Sequence, residues 1–166
     1  MSSVPQLAQV AIDHARRGNF GQALELAKRA LSVHPDAHGL MLFVGMLQTR
    51  RMELDQAAST FREALRLKPT DQLTRLELAR VLIAVNQLDE AQKLLSSRRL
   101  PGLEPKRLFG LIAIRRGEAD KAIRQYRQIV AEEPRGFESG GDLGVAMLAG
   151  GGRAGPHPAL RSSVVL

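Results

Sequence analysis

Three observations predict an all-α fold, an α-solenoid of antiparallel helix pairs with four regular units and a degenerate or truncated fifth. Small residues recur at a spacing of 34: Ala23, Ala27, Ala30 and Pro35 precede Ala57, Phe61, Ala64 and Pro69 by that interval, and Ala91 and Leu95 follow the first two of these by it again. A period of this size is the mark of stacked supersecondary units, none of which can bury its apolar face alone. Of the 166 residues 44% are hydrophobic but only 4% aromatic, so Leu and Ala must build the core, and a β-sheet would ask for more Val, Ile, Tyr and Phe. Finally, Gly or Asn punctuates the apolar stripes where a left-handed residue would close a helix. The length favours one domain spanning 1-166, with repeats at about 4-36, 37-70, 71-102, 103-136 and 137-166.

The first helix opens with Ser2 or Ser3 as cap and Pro5 in its first turn, and carries Leu7, Val10, Ala11 and His14 on one face. Gly18 ends it, with Arg16 and Arg17 complementing the negative end of the dipole. The second helix, about Phe20 to Val33, buries Ala23, Leu24, Ala27, Ala30 and Leu31, and Pro35 closes it. Repeat two begins near Asp36 or Ala37 and places Gly45 where repeat one has Ala11. A small residue there lets the facing helix approach, and a larger one would overpack it. Met52 stands where repeat one has Gly18, so this turn must be closed differently or carry a little strain.

Repeat three runs from about Thr70, a candidate cap, through Leu78, Ala79 and Leu82 to Asn86, Leu88, Ala91 and Leu95. Then the period slips: Ala79 to Gly110 and Ala91 to Ala122 are both separated by 31. Residues are missing around Ser96 to Gly102, so the helix before Pro101 should stop about one turn early. Repeat four resumes with Pro105 near a helix start, then Phe109-Gly110, Gly117, Ala122, Tyr126 and Pro134. Repeat five starts in register at Leu143-Gly144 and is then interrupted by Gly150-Gly151-Gly152 and Pro156-His157-Pro158. Either it is a degenerate terminal unit or the chain belongs to a longer protein; the apolar end Val164-Val165-Leu166, in place of a polar capping helix, favours the second.

Composition also excludes function classes. No cysteine is present, which removes thiolate catalysis, disulfides and Cys-based metal sites together. The four histidines do not form a site: His14 reads as a core residue, His34 and His38 straddle Pro35, and His157 lies between prolines. No phosphate-binding loop, nucleophile elbow or zinc-protease motif occurs, and the carboxylates are scattered, so we expect no enzyme active site, no metal and no cofactor. The start of the chain lacks the form of a signal peptide and no stretch is apolar enough to span a membrane, which predicts a cytoplasmic protein. A net charge of +7 invites a nucleic-acid partner, but basic and acidic residues are interleaved and there are few aromatics to stack on bases.

The alternation resembles the tetratricopeptide repeat family, whose signature is W-x2-L-G-x2-Y, then A-x3-F, then P. Repeat two matches it as Met41-x2-Val44-Gly45-x2-Gln48, Ala57-x3-Phe61 and Pro69, and repeat four as Phe109-Gly110, Ala122-x3-Tyr126 and Pro134. Repeat one supplies Leu7, Val10, Ala11, His14, Ala23, Ala27 and Pro35; the Trp position holds Leu7, Met41, Arg75, Lys106 and Gly140. The resemblance implies a right-handed superhelix whose first helices line a concave groove that binds a peptide or a partner helix. It thus implies a non-catalytic scaffold with a protein or peptide partner. The alternatives are the N-terminal repeat region of a larger enzyme, such as a repeat-linked sulfotransferase or glycosyltransferase, and a basic adaptor for nucleic acid or acidic membranes.

Since Gly45 and its equivalents point into the hairpin, their neighbours on the inner side should line such a groove. These are Ala8 and Ile12, Leu42 and Met46, Leu76 and Arg80, and Arg107 and Leu111, with Arg16, Arg50 and Arg115 a turn beyond. The expected surface is an apolar floor with an arginine margin, suited to apolar anchors and acidic groups. The basic and Asn clamp of carboxylate-binding relatives is absent, because Ala8, Ile12, Phe43, Leu73 and Glu77 hold the corresponding sites. Apolar solenoid ends can also pair, which allows a homodimer.

Overall fold

The computed structural model describes residues 3–133. Repeat five, the apolar end at Val164-Val165-Leu166 and the closing Pro134 lie outside the described residues. Among those described there are eight α-helices and no strand: α1 (Val4–Arg16), α2 (Phe20–Val33), α3 (His38–Arg50), α4 (Leu54–Leu67), α5 (Gln72–Ala84), α6 (Leu88–Ser96), α7 (Glu104–Arg115) and α8 (Ala119–Glu132). The chain divides into two compact bodies, Met1–Val85 with α1 to α5 and Asn86–Leu166 with α6 to α8. The division falls inside repeat three, between its two helices.

Local chemistry accounts for the boundaries. Ser3 caps α1 reciprocally: its hydroxyl accepts from the Gln6 N–H at 3.4 Å and its own N–H donates to Gln6 Oε1 at 2.8 Å. Three turns then close in one way. The N–H of Asn19 donates to the carbonyl of His14, that of Glu53 to Gln48 and that of Glu118 to Ala113, each at 2.9 Å, across a residue of positive φ. That residue is Gly18 at +80°, Met52 at +61° and Gly117 at +74°. Met52 therefore keeps the shared turn and accepts the left-handed strain, the second of the two outcomes open to it. Asn86, at +63°, takes the same backbone region as expected.

The cap of α5 differs from expectation. Asp71, not Thr70, is the capping residue, because its extended backbone (φ −71°, ψ 114°) aims its carboxylate at the Thr74 N–H, 2.9 Å away. The shortened helix is found where the slipped period places it: α6 has 9 residues against 14 in α4, so it stops even earlier than a single turn.

In the N-terminal body Ala11, Ala23, Leu24, Ala27, Val44 and Leu47 form one buried cluster, flanked by Phe20, Leu31, Leu40 and Phe43. Alanine dominates because neighbouring helices approach closely at these points. At Gly45 the approach is closer still: a Cβ there would lie 2.5 Å from Phe61 Cε1. In the C-terminal body Ala113, Ala122, Tyr126 and Ile129 form the core. A Cβ on Gly110 would lie 2.6 Å from Tyr126 Cζ, and the Tyr126 hydroxyl donates to the Arg107 carbonyl at 3.2 Å. Both small residues thus hold the packing role read from their spacing.

Candidate functional site

The first helices α1, α3 and α7 each turn a small residue, Ala11, Gly45 or Gly110, toward the partner helix, and this decides which of their side chains are left for solvent. Gly45 is buried under Phe61, while Met46, rotated by about 100° along the helix, is 43% exposed. Leu42 is half-buried and Arg50 exposed on the same side of α3. On α5, Leu76 is half-buried and Arg80 exposed; on α1, Ala8 and Ile12 are half-buried and Arg16 exposed. Within the N-terminal body α3 and α5 touch directly, and α1 reaches α3 through α2. In the C-terminal body Arg107 and Leu111 are half-buried and Arg115 is exposed on α7. Every one of these eleven side chains retains solvent access.

A further residue shares this face of α5. Leu73, 49% exposed, precedes Leu76 by three positions and Arg80 by seven, so it belongs to the same face of α5. The sequence already set Leu73 at one of the groove positions that carry a clamp in carboxylate-binding relatives.

The arginine margin is less free than its sequence implies. Arg80 Nη1 meets Glu77 Oε1 at 2.6 Å, Arg107 meets Glu104 at 3.7 Å, and Arg16 meets Asp13 at 3.8 Å, all pairs of the i, i+3 type on one helix. Exposed pairs of this kind contribute about 0–1 kcal/mol to stability, but they do lower the charge offered to a partner. Arg50 and Arg115 have no ion-pair partner among the described residues, and both sit in the last turn of their helices.

Polar groups buried behind this face fix the helices that carry it. Gln48, 4% exposed, stands at the tyrosine position of the repeat and accepts from the Thr60 hydroxyl at 2.7 Å, tying α3 to α4. Where α3 meets α5, His38 Nε2 lies 3.1 Å from Thr74 Oγ1, and that hydroxyl donates to Asp71 Oδ2 at 2.5 Å. With the Thr74 proton committed to the carboxylate, His38 must donate through Nε2. His38 Nε2 is also 3.6 Å from Asp71 Oδ2. Burial pushes the Asp71 carboxyl up, but the Thr74 hydroxyl and N–H, with the positive charges of His38 and Lys68, outweigh it and hold it below its ordinary value.

Arg75, at the tryptophan position, is only 7% exposed and donates through Nη2 to the Pro69 carbonyl at 2.7 Å. Spacing identified the position but could not foresee that an arginine there would be buried and held by a backbone carbonyl. His14 is half-buried with its Nδ1 shielded from solvent. Among the described residues no three His, Cys, Asp or Glu side chains come close enough to hold a metal, and no helix is long and apolar enough to cross a membrane.

Residues 11–72 match one tetratricopeptide repeat family profile and residues 52–106 match a second, which together span more than half the chain. The chain belongs to the tetratricopeptide repeat family. No curated protein matches it in sequence. Solved tetratricopeptide repeat structures share its fold at low identity. A double mutant of MamA RS-1 superposes with a TM-score of 0.81 at 16% identity, covering 97% of this chain and 90% of its own. A tetratricopeptide repeat protein from Parabacteroides merdae ATCC 43184 gives 0.84 at 17%, covering 96% and 62%. YrrB, described as a tetratricopeptide repeat protein with an unusual peptide-binding site, gives 0.73 at 18%, covering 96% and 84%. At these identities the likeness is one of fold: an all-α solenoid of paired helices.

Proposed function

We propose that this tetratricopeptide repeat protein is a non-catalytic interaction module that holds a peptide or a partner helix against the exposed face of its first helices. The observation that carries the reading is Met46, a large apolar side chain 43% exposed in the middle of α3, with half-buried Leu42 one turn away and with Leu76 and Leu73 carried by α5, a helix that α3 contacts. Apolar groups held on rigid helices and rimmed by cations suit a segment with apolar anchors and acidic groups. YrrB, of the same fold, is described as having a peptide-binding site, which agrees with a peptide as the ligand class.

Ala8, Ile12, Arg16, Leu42, Met46, Arg50, Leu76 and Arg80 would contact the partner in the N-terminal body, and Arg107, Leu111 and Arg115 in the C-terminal one. The test is selection of binding peptides from a random library, followed by titration of the best peptide into the wild type and two variants. Met46→Glu buries a charge against the anchor, and Arg50→Glu reverses a cation that has no ion pair among the described residues. Each should weaken binding roughly tenfold or more with an unchanged circular dichroism spectrum. Equal affinity in all three proteins would remove the groove proposal.

A further inference from the structure

On the C-terminal body α7 offers a second surface. Arg107, Leu111 and Arg115 occupy one side of the helix, whereas Phe109 and Ile112 lie on the opposite side, by the turn of about 100° per residue, and there they floor an open groove of about 330 Å³ between α6 and α8. That volume is at the lower end of the range for ligand clefts, roughly 300–1,000 Å³. It admits an anchor side chain with its neighbours and no more. Phe109 is half-buried and Ile112 is buried, so the floor is apolar and firm.

The walls are of two kinds. Gln92 from α6 faces Gln125 and Gln128 from α8 across the groove. A primary amide donates and accepts at once, which matches the alternating N–H and C=O of an extended peptide backbone. Charge is one-sided: Arg116, Lys121 and Arg124 line the groove against Glu118 alone. Arg116 is committed, with Nη2 2.6 Å from Asp89 Oδ1 and Nη1 bonded to Gln92 Oε1, and Lys121 lies 3.0 Å from Glu118. Arg124 is exposed and has no ion-pair partner among the described residues. It is thus the cation available to a ligand carboxylate.

We propose that this groove is a second docking site, separate from the first-helix face, for a short extended acidic segment carrying one aliphatic anchor. The anchor lies on Phe109 and Ile112, the three amides hold the backbone, and an acidic side chain pairs with Arg124. The arrangement does not depend on what binds the opposite side of α7.

The test uses the full chain, isotopically labelled, and the probe peptide Asp-Glu-Leu-Asp-Glu with two controls, Asp-Glu-Ser-Asp-Glu and Lys-Lys-Leu-Lys-Lys, followed by amide chemical shifts. Saturable binding of the probe should move Gln92, Ile112 and Gln125. It should weaken roughly tenfold in Arg124→Glu and persist in Met46→Glu, with neither control saturating. Three results would overturn the proposal: no saturation below about 1 mM, equal binding of either control, or loss of binding in Met46→Glu with none in Arg124→Glu. The last would place the peptide on the first-helix face, so failure of one site is separable from failure of the other.

Discussion

Gly45 and Phe61 are the contact on which the second helix pair depends, and adding one methyl group tests it. In Gly45→Ala the new Cβ would sit 2.5, 2.8 and 2.9 Å from Cε1, Cδ1 and Cζ of a ring that is fully buried. The ring cannot swing into solvent, so α3 and α4 must move apart. Overpacking of this kind costs about 1–3 kcal/mol. Alanine returns about 1 kcal/mol through its better helix propensity, leaving a net loss of about 0–2 kcal/mol. The decisive measurement is the same substitution in the background Phe61→Ala, which recreates the Ala11 and Ala27 combination that repeat one buries. Phe61→Ala alone should cost about 3–5 kcal/mol, within the ~5–15 kcal/mol total of an ordinary domain. With the ring gone, Gly45→Ala should become stabilising by about 1 kcal/mol. Urea unfolding of the four proteins, followed by circular dichroism, gives the coupling, expected at about 1–3 kcal/mol. An effect of equal sign and size in both backgrounds would refute the claim that close approach explains the glycine.

Met52 holds a left-handed backbone at the surface, 74% exposed, so Met52→Gly should raise stability by up to about 1 kcal/mol, while Met52→Val should lower it by a similar amount; the reverse order in urea midpoints would contradict the strain. Thr60→Val leaves Gln48 Oε1 buried without its donor and should cost about 1–2 kcal/mol, largely recovered in the double variant with Gln48→Leu, as thermal unfolding can show. The folded-state pKa of Asp71 is lowered, so its contribution to stability is fully present above the unfolded value near 4 and is lost as pH falls through the folded value. The stability difference between the wild type and Asp71→Asn should therefore be constant near neutrality and shrink below about pH 4; a difference independent of pH would show that the carboxylate's charge is not what Thr74 and His38 hold.

Most of the fold was legible because it is local and repeated. Helix periodicity, the glycine at 18, the slip to a period of 31 and the small residues at 45 and 110 each state a backbone or packing requirement in one letter, and the structure meets each of them. The misses have equally local causes. Thr70 and Asp71 are neighbours of comparable capping propensity, and only the backbone angle chooses between them. Leu73 stood at a groove position in the sequence but was not counted among the contact residues, although its i, i+3, i+7 spacing with Leu76 and Arg80 puts it on their face.

What the sequence by itself determined is the repeating pair of helices and the side of α3 and of α7 that must face its partner, since a glycine opposite a ring permits no other arrangement. Charge was beyond its reach. Arg80, Arg107 and Arg16 read alike with Arg50 and Arg115, yet the first three are bound to carboxylates three residues away and the last two have no ion pair among the described residues. Only the tertiary structure decided which cations a partner can use and that Gln92, Gln125 and Gln128 share a groove with Arg124. Those facts depend on which rotamers and which neighbouring helices meet, and no single helix carries that information.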